Sequence, residues 1–213
     1  MSRPTFGRQR NGSHQESPRK VPPPLILASA SPARRGQLES LGIAFESIAP
    51  EVDEDAWKER RWPVQTLAKR LALAKALVVF ERRPGSVVIG GDQVASLDGE
   101  PFDKPGDVEN ARRQLRRLSG RTFELSTAVA VAHDDGIKVH LEPVQLTMRN
   151  LRDDEIETYI EYDRPFDCAG CFRWESRGPL LFSNVSTADP TAILGLPILW
   201  LSRTLRELGY RLP

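Results

Sequence analysis

The sequence predicts an α/β protein with a mixed sheet. Helical and strand-like patterns alternate along the chain instead of falling into separate blocks. The 213 residues are 39% hydrophobic and 28% charged, the balance of an ordinary globular domain. This length favours one folded domain with a sizeable core. No pattern recurs at a fixed period, so the sequence gives no sign of a repeat architecture.

The first residues differ in composition from the rest of the chain. Residues 1–24 carry five basic residues against one acidic residue and many prolines, with almost nothing apolar. Such a segment cannot bury enough surface to offset its ordering entropy. We therefore expect a disordered tail over residues 1–24 and a folded domain over residues 25–213. No secretory signal is expected, and a solvated extension is favoured over a nucleic-acid or membrane arm.

The folded part begins with a strand that leads directly into a helix. Leu25–Ser29 is short and apolar, as a buried strand is. Ser31 and Pro32 supply the N-cap and first-position proline that start a helix. That helix should reach Leu41, just before a glycine. Phe45–Ala49 is a candidate second strand.

The middle of the chain continues the alternation. Val64–Phe80 is rich in alanine and leucine, the best helix formers, and predicts a long helix. Val87–Ile89 and Val94–Leu97 each have the pattern of a strand. Asp107 caps a further helix that Gly120 closes.

The last third contains a hairpin and two helices. Thr122–Ala132 and Lys138–Met148 are strand-like runs separated by an Asp-Asp-Gly turn signal. Asp153–Tyr162 is helical, and so is Thr191–Leu208, although a glycine and a proline interrupt the start of this final stretch.

A candidate anion site lies where the first strand meets the first helix. The unpaired amides and the dipole of a helix N-terminus attract anions. Ser31, Arg34 and Arg35 add a hydroxyl and two guanidinium groups, and the arginine fork suits phosphate oxygens. The same residues are equally consistent with a plain Ser-Pro cap and two surface arginines.

A second candidate is an aspartate at the end of an apolar strand. Asp92 follows two glycines, which allow close backbone approach, and ligands of open α/β sheets bind at strand C-termini. Asp92 is a candidate general base or metal ligand, although an aspartate that only caps a turn is the simpler interpretation. Lys104 follows the next turn, so its ammonium can reach the same pocket.

Other features favour structural explanations on their own. The acidic run from Glu51 to Asp55 is typical of a solvated loop, and Lys75 stands among alanines and leucines, where a lysine usually snorkels. The arginines between residues 112 and 121 fit a solvated helix face better than a nucleic-acid surface. Cys168 and Cys171 have CxxC spacing without the further ligands that zinc needs.

Composition narrows the function classes. The formal net charge is +1, which disfavours a polyanion binder, and the two cysteines fit a reducing compartment. Three scattered histidines argue against a Ser-His-Asp hydrolase, and no P-loop sequence is present. No apolar run approaches the roughly 18 residues of a membrane helix. The candidate anion site at the first helix, the acid Asp92, and the lysines Lys75 and Lys104 together favour a site that binds phosphate groups.

Several short motifs resemble those of the Maf family of nucleoside triphosphate pyrophosphatases, in the family's order and near its spacing. They are Ser29-Ala30-Ser31-Pro32-Ala33-Arg34-Arg35, Ala49-Pro50-Glu51-Val52-Asp53-Glu54, Leu73-Ala74-Lys75-Ala76, Gly91-Asp92-Gln93-Val94, Lys104-Pro105, Leu118-Ser119-Gly120 and Cys168-Ala169-Gly170. The resemblance covers residues 25–211. It implies a mixed, bent sheet with flanking helices and a cleft between two lobes, similar to the inosine triphosphate pyrophosphatase group.

The resemblance also implies an activity and its surroundings. The expected reaction is hydrolysis of a nucleoside triphosphate to the monophosphate and pyrophosphate with a divalent cation, Mg²⁺ or Mn²⁺. A cytoplasmic location and a homodimer are typical of the family, and some members are linked to arrest of cell division. The expected roles are a proton acceptor, phosphate-binding groups and metal-binding acids. The resemblance gives Asp92 the role of proton acceptor and gives Glu54, together with Asp92, the role of metal ligand. The phosphate-binding groups that it implies are Ser31, Arg34, Arg35, Lys75 and Lys104.

Two residues point to the branch of the family that prefers 7-methyl-GTP. Gln93 follows the acid, where the branch that prefers dTTP and UTP carries threonine. Glu175 is a carboxylate, which can accept both hydrogen bonds that the guanine edge donates. Ala33 departs from both branches, which have a bulky residue or arginine there. A dTTP/UTP-preferring or broader pyrophosphatase and a non-enzymatic nucleotide- or nucleic-acid-binding division regulator are the alternatives.

Overall fold

The computed structural model describes residues 21–212, and in this range seven strands form one mixed sheet. The strands are β1 (Leu25–Ala28), β2 (Glu46–Ile48), β3 (Val87–Leu97), β4 (Glu100–Pro101), β5 (Thr122–His133), β6 (Gly136–Met148) and β7 (Phe182–Ser186). The helices are α1 (Pro32–Glu39), α2 (Glu54–Lys58), α3 (Val64–Phe80), α4 (Val108–Leu118), α5 (Asp153–Asp163) and α6 (Ile198–Glu207). The predicted α/β class with a mixed sheet and flanking helices is confirmed.

The sheet changes from parallel to antiparallel at β3. The strand order is β2-β1-β3-β5-β6-β7, with β4 paired to the far end of β3. β1 runs parallel to β2 and to β3, where Ala28 pairs with Gly90. All other pairs are antiparallel. The parallel part therefore ends just before Asp92, at the edge of the sheet where ligands of α/β proteins bind.

Alternating residues of the central strands face two different layers. Ile26 and Val88 belong to a core cluster with α3, whereas Leu27 and Ile89 belong to a cluster with α6. This period of two follows from strand geometry. A third cluster, around Phe123, packs α4 and α5 against the antiparallel end of the sheet.

α3 lies unusually close to β3. A Cβ added at Gly90 would be 2.3 Å from the Ala72 carbonyl oxygen and 2.6 Å from the Ala76 nitrogen. Only glycine permits this approach between helix and strand backbones. The approach holds Lys75, between those two alanines, directly over the strand.

Several predicted elements differ from the observed ones. The first helix ends at Glu39, two residues before the predicted Leu41. The two strands predicted at Val87–Ile89 and Val94–Leu97 are one strand, because β5 pairs with β3 from Val88 to Ser96.

The other differences lie in segments without strong patterns. α2 begins at Glu54, within the acidic run that was predicted as a loop, and β7 was not predicted. The final helical stretch divides into a 3-10 turn, Pro190–Leu194, and α6.

The predicted tail lies largely outside the described residues. Of its last four residues, Pro23 accepts a hydrogen bond from the Tyr210 hydroxyl at 2.6 Å, and Pro24 accepts one from the Val87 amide at 2.9 Å. These two prolines therefore belong to the folded unit. Within residues 21–212, no helix combines the length and the apolar character that crossing a membrane requires.

Candidate active site

The centre of the site is a lysine shared by two carboxylates. Lys75 Nζ lies 2.7 Å from Asp92 Oδ1 and 2.7 Å from Glu54 Oε1. The side chains of Lys75 and Asp92 are each 8% exposed, whereas that of Glu54 is 39% exposed. Asp92 lies on β3, Lys75 on α3, and Glu54 is the first residue of α2, so three elements meet here.

The two carboxylates differ in proton affinity. Burial raises the pKa of Asp92, although the charges of Lys75 and Arg34 oppose this shift. Burial alone would raise the pKa of Glu54, but the hydrogen bond from Lys75 and the nearby ammonium groups lower that pKa overall. Environments that separate two acids in this way assign them different roles, and Asp92 is the stronger base.

The turn after β1 brings Arg34 to the same place. Ser31 caps α1, as predicted, with its hydroxyl 3.4 Å from the Arg34 amide. Arg34 Nε donates to the Gly195 carbonyl oxygen at 3.1 Å, and Nη1 lies 3.5 Å from Ser29 Oγ. Burial lowers the pKa of Arg34, and the charges of Asp92 and Glu54 act against this. The guanidinium therefore lies within electrostatic reach of both carboxylates.

Lys104 lies beside the site and is exposed to solvent. Together with Glu54 it lines a cavity of about 760 Å³. Its charge adds to that of Lys75 in lowering the pKa of Glu54. Lys104 has no hydrogen bond or ion pair to any residue from 21 to 212. Lys58 on α2 pairs with Asp103 at 3.2 Å and so connects α2 to the loop that carries Lys104.

Two further residues of α1 were singled out from the sequence: Arg35 as a phosphate-binding residue and Ala33 as a specificity position. Arg35 is exposed and pairs with Glu39 at 3.2 Å along the helix. Ala33 is partly buried in the first turn of α1. The structure thus brings one of the two adjacent arginines to the site and leaves the other on the surface.

Gln93 faces away from its neighbour Asp92. Successive strand residues face opposite sides of a sheet, so Asp92 faces α3 while Gln93 faces the opposite layer. Gln93 Nε2 donates to Thr127 Oγ1 at 2.9 Å and to the carbonyls of Ala192 and Ile193 at 2.9 and 3.1 Å. Its amide nitrogen is therefore already bound within the protein, and the residue connects β3 to the 3-10 turn.

Glu175 lies in an exposed turn that is stabilised by hydrogen bonds to Asp163. The Asp163 carboxylate accepts hydrogen bonds from Ser176 Oγ and the Arg177 amide, each at 3.0 Å. The Glu175 carboxylate has no hydrogen bond or ion pair to any described residue. Trp174, its neighbour, is partly buried and packs against Phe172 and Phe182.

The structure argues against redox chemistry at the CxxC segment. Burial raises the pKa of both Cys168 and Cys171 to about 12, so neither thiol is a ready nucleophile. Among residues 21–212, no three histidine, cysteine or acidic side chains cluster as they do in a zinc site. The carboxylates of Glu54 and Asp92, however, already share one cation, Lys75, and such oxygen donors suit Mg²⁺ or Mn²⁺.

Sequence reasoning missed the segment between the 3-10 turn and α6. Gly195 supplies the carbonyl that holds Arg34, and Gln37 on α1 binds the backbone of Thr191 and Leu196. The only available signal was the interruption of the final helical stretch by a glycine and a proline, which marked a turn without indicating its contacts.

The resemblance to Maf proteins implies a mixed sheet and a site that includes Asp92, Lys75 and Arg34, and the structure has a mixed sheet in which these three residues lie together. The family described as "Maf-like protein" matches residues 24–208. The chain belongs to the Maf family.

Individual relatives agree over nearly the whole folded part. A protein of Bordetella pertussis is 47% identical over 193 residues, 89% of this chain and 94% of the relative. One of Aromatoleum aromaticum is 45% identical over 89% of this chain and 97% of its own length. One of Xanthomonas campestris pv. campestris is 44% identical over 90% of this chain and 99% of its own length. Each of these relatives is named a 7-methyl-GTP pyrophosphatase.

Proposed function

We propose that this protein hydrolyses a nucleoside triphosphate, 7-methyl-GTP in the first place, to the nucleoside monophosphate and pyrophosphate. The observation that carries the proposal is the buried Asp92 carboxylate, whose pKa is raised by burial and which lies at the edge of the parallel strands. The names of the relatives support the reaction and the substrate.

Asp92 would act as the general base. Its Oδ1 pairs with Lys75, whereas its Oδ2 has no partner among the described residues and is left to accept a proton from water. That water would attack the α-phosphorus. The bond from this phosphorus to the bridging oxygen breaks, and pyrophosphate leaves with both electrons of that bond.

Three cationic side chains would hold the phosphates. Arg34 and Lys75 border the buried acid, and Lys104 lies at the cavity beside Glu54. Their charges offset the negative charge that develops on the pyrophosphate leaving group. Arg35, which pairs with Glu39, would contribute at most through the general positive field.

Glu54 and Asp92 would hold the divalent cation, which when bound would neutralise phosphate charge. Mg²⁺ is commonly bound through one or two carboxylates plus substrate phosphates, so a two-carboxylate site needs no third protein ligand. Lys75 occupies the position between these carboxylates and would turn to the phosphates as the substrate binds. The expected homodimer and cytoplasmic location stay predictions.

Glu175 would recognise the base. Its exposed, unpaired carboxylate can accept hydrogen bonds from the donors of a guanine edge. Gln93 would act indirectly, because its amide nitrogen is bound to the 3-10 turn.

The test is pyrophosphate release from 7-methyl-GTP, GTP, dTTP, UTP, CTP and ITP in the presence of Mg²⁺ or Mn²⁺. We expect the highest kcat/KM for 7-methyl-GTP and loss of turnover with a chelator. Activity mainly on dTTP and UTP would favour the pyrimidine-preferring alternative. No turnover of any nucleotide by folded protein would contradict the enzymatic function and favour the binding regulator.

A further inference from the structure

We propose that Gln37 is a positioning residue for Arg34, acting through the backbone segment Thr191–Pro197. The inference rests on the proposed function in one respect: Arg34 must bind substrate phosphate. Gln37 itself touches neither the carboxylates nor the cavity beside Glu54.

Gln37 fastens the segment by its side-chain amide. Nε2 donates to the Thr191 carbonyl at 2.7 Å and to the Leu196 carbonyl at 3.0 Å, while Oε1 accepts from the Leu196 amide at 3.0 Å. Both amide hydrogens and the oxygen are therefore used. The residue is 7% exposed, and a buried amide of this kind is costly unless it is paired in this way.

The fastened segment in turn holds Arg34. Gly195, next to Leu196, accepts the hydrogen bond from Arg34 Nε at 3.1 Å. Gln37 and Arg34 are three residues apart on α1 and so lie on one face of the helix. Helix α1 thus supplies both the Arg34 guanidinium and the Gln37 side chain, and Gln37 fixes the backbone that accepts the hydrogen bond from Arg34. These contacts form a closed ring from Arg34 through Gly195 and Leu196 to Gln37 and back along the helix.

The space around the Arg34 side chain is narrow, so the position of Gly195 affects where the guanidinium lies. A Cβ on Gly195 would lie 3.0 Å from Arg34 Cγ and Nε, and a Cβ on Gly91 would lie 3.1 Å from Nε. The stem of Arg34 therefore passes between two glycines, one of them adjacent to Asp92. A shift of Gly195 changes the width of this slot and the direction of the guanidinium.

Besides Gln37, the Thr191 hydroxyl donates to the Leu196 carbonyl oxygen at 3.2 Å, and the remaining side-chain anchors bind nearer the start of the segment. Gln93 and Thr127 hold the carbonyls of Ala192 and Ile193, and the Asp189 carboxylate accepts from the Thr191 amide. With Gln37 changed, these anchors still retain the 3-10 turn, so the chain should fold. The loss is then concentrated at Gly195 and Leu196, the part that touches Arg34.

The experiment is a double-mutant cycle between Gln37→Met and Arg34→Ala. Two quantities are measured: kcat and KM for 7-methyl-GTP, and the Kd of inorganic tripolyphosphate, a probe without a base. We expect Gln37→Met to raise KM and the tripolyphosphate Kd by about five- to tenfold, with a smaller change in kcat. In the Arg34→Ala background the same change should have no further effect.

Two further variants keep the test decisive. Gln37→Glu has nearly the same shape and keeps the bond from the Leu196 amide, so it replaces Gln37→Met in the cycle if that variant does not fold. Ser40→Ala is the matched control, because Ser40 is the C-cap of the same helix and its hydroxyl donates to the Gln37 backbone carbonyl, not to the Gln37 side chain. It should change neither constant.

The outcomes separate this inference from the proposed function. Equal losses from Gln37→Met in both backgrounds would overturn it, since a general structural defect does not depend on Arg34. A Gln37→Met variant with unchanged KM and tripolyphosphate Kd, like Ser40→Ala, would also overturn the inference. So would a wild-type protein that binds tripolyphosphate no more tightly than the Arg34→Ala variant does. If the wild type turns over no nucleotide, the proposed function fails, while tripolyphosphate binding still decides the coupling between Gln37 and Arg34.

Discussion

Asp92 and Glu54 contact the same lysine nitrogen but hold their protons differently. Burial dominates at Asp92 and raises its pKa, whereas the pairing with Lys75 and other ammonium groups dominates at Glu54 and lowers its pKa. The difference follows from exposure, because Asp92 has little contact with water and Glu54 lies at the mouth of the cavity. One acid is thereby suited to accept a proton and the other to remain charged.

The pH dependence of the reaction tests this difference. An acid with a raised pKa loses its basic form at a higher pH than an ordinary aspartate. The acid limb of log kcat/KM should therefore bend above the usual aspartate value of 3.8. The measurement is kcat/KM against pH at constant Mg²⁺ concentration. A profile that stays flat down to pH 4 would show that Asp92 is not the titrating base.

Glu175 allows a test of base recognition at one side chain. Glu175→Gln replaces two acceptors by one acceptor and one donor, which fits thymine and uracil better than guanine. We expect the kcat/KM ratio of 7-methyl-GTP to dTTP to fall, with little change in the unfolding midpoint, because Glu175 is exposed. An unchanged order of substrates would remove Glu175 from base recognition.

Between elements, the contact of α3 with β3 sets the position of Lys75. The Gly90 backbone meets the backbone of Ala72 and Ala76, with no side chain between them. Lys75 then reaches Asp92 across the strand without being displaced by a larger neighbour. The site depends on a helix-to-strand distance that one glycine permits.

Gly90→Ala should therefore impair both stability and activity. The added methyl group would meet backbone atoms that cannot move without the whole helix, and overpacking of this kind costs about 1–3 kcal/mol. Urea unfolding and kcat/KM measure the two effects. Gly36→Ala is the matched control, since nothing lies within 4 Å of the added atom and alanine favours a helix by ~0.5–1 kcal/mol. Equal stability of the two variants would contradict the close packing.

How far the sequence predicts these elements depends on how local their causes are. Val64–Phe80 is confirmed as α3 at its predicted bounds, because alanine and leucine favour the helix by themselves. β3 was divided in two because Gly90 and Gly91 resemble a break, and only the pairing with β5 shows that they lie inside a strand. α2 was missed because five residues carry little periodic signal, although Asp53 does cap it.

The site residues, like the elements, were predicted where a local motif marks them and missed where only long-range contacts do. Asp92, Lys75, Arg34 and Glu54 come together as the motifs imply. The contacts of Gln93 and Gln37 to the 3-10 turn join residues about 100 and 160 positions apart, and no local pattern encodes them. Such contacts arise only when the whole chain has folded.

Across the whole molecule, the site lies where separate cores meet the same strands. β3 and β5 contribute to the clusters on both faces and to the third cluster at the antiparallel end. Helices and strands therefore carry Asp92, Lys75 and Arg34, while the more exposed Lys104 and Glu175 lie on turns. Buried groups carried by helices and strands, with exposed charged groups on loops around them, form an arrangement suited to catalysis.

Three arginines of α4 are paired with acidic residues. Arg112 and Arg116 on α4 pair with Glu157 and Asp153 on α5, and Arg117 pairs with Glu100. This agrees with the predicted solvated helix face and gives no support to nucleic-acid binding there. Of the two described lysines that line the cavity, Lys58 pairs with Asp55 and Asp103, whereas Lys104 forms no ion pair with a described residue.

The most direct measurement compares pyrophosphate release from 7-methyl-GTP by the wild type, Asp92→Asn and Asp98→Asn. Asp98 is an exposed carboxylate on the turn just after β3, paired with Arg121, and serves as the matched control. We expect Asp92→Asn to lower kcat/KM by about 10²–10⁴-fold with its fold and tripolyphosphate binding retained, and Asp98→Asn to match the wild type. An Asp92→Asn variant that keeps more than about a tenth of the activity would contradict the assignment of Asp92 as the base.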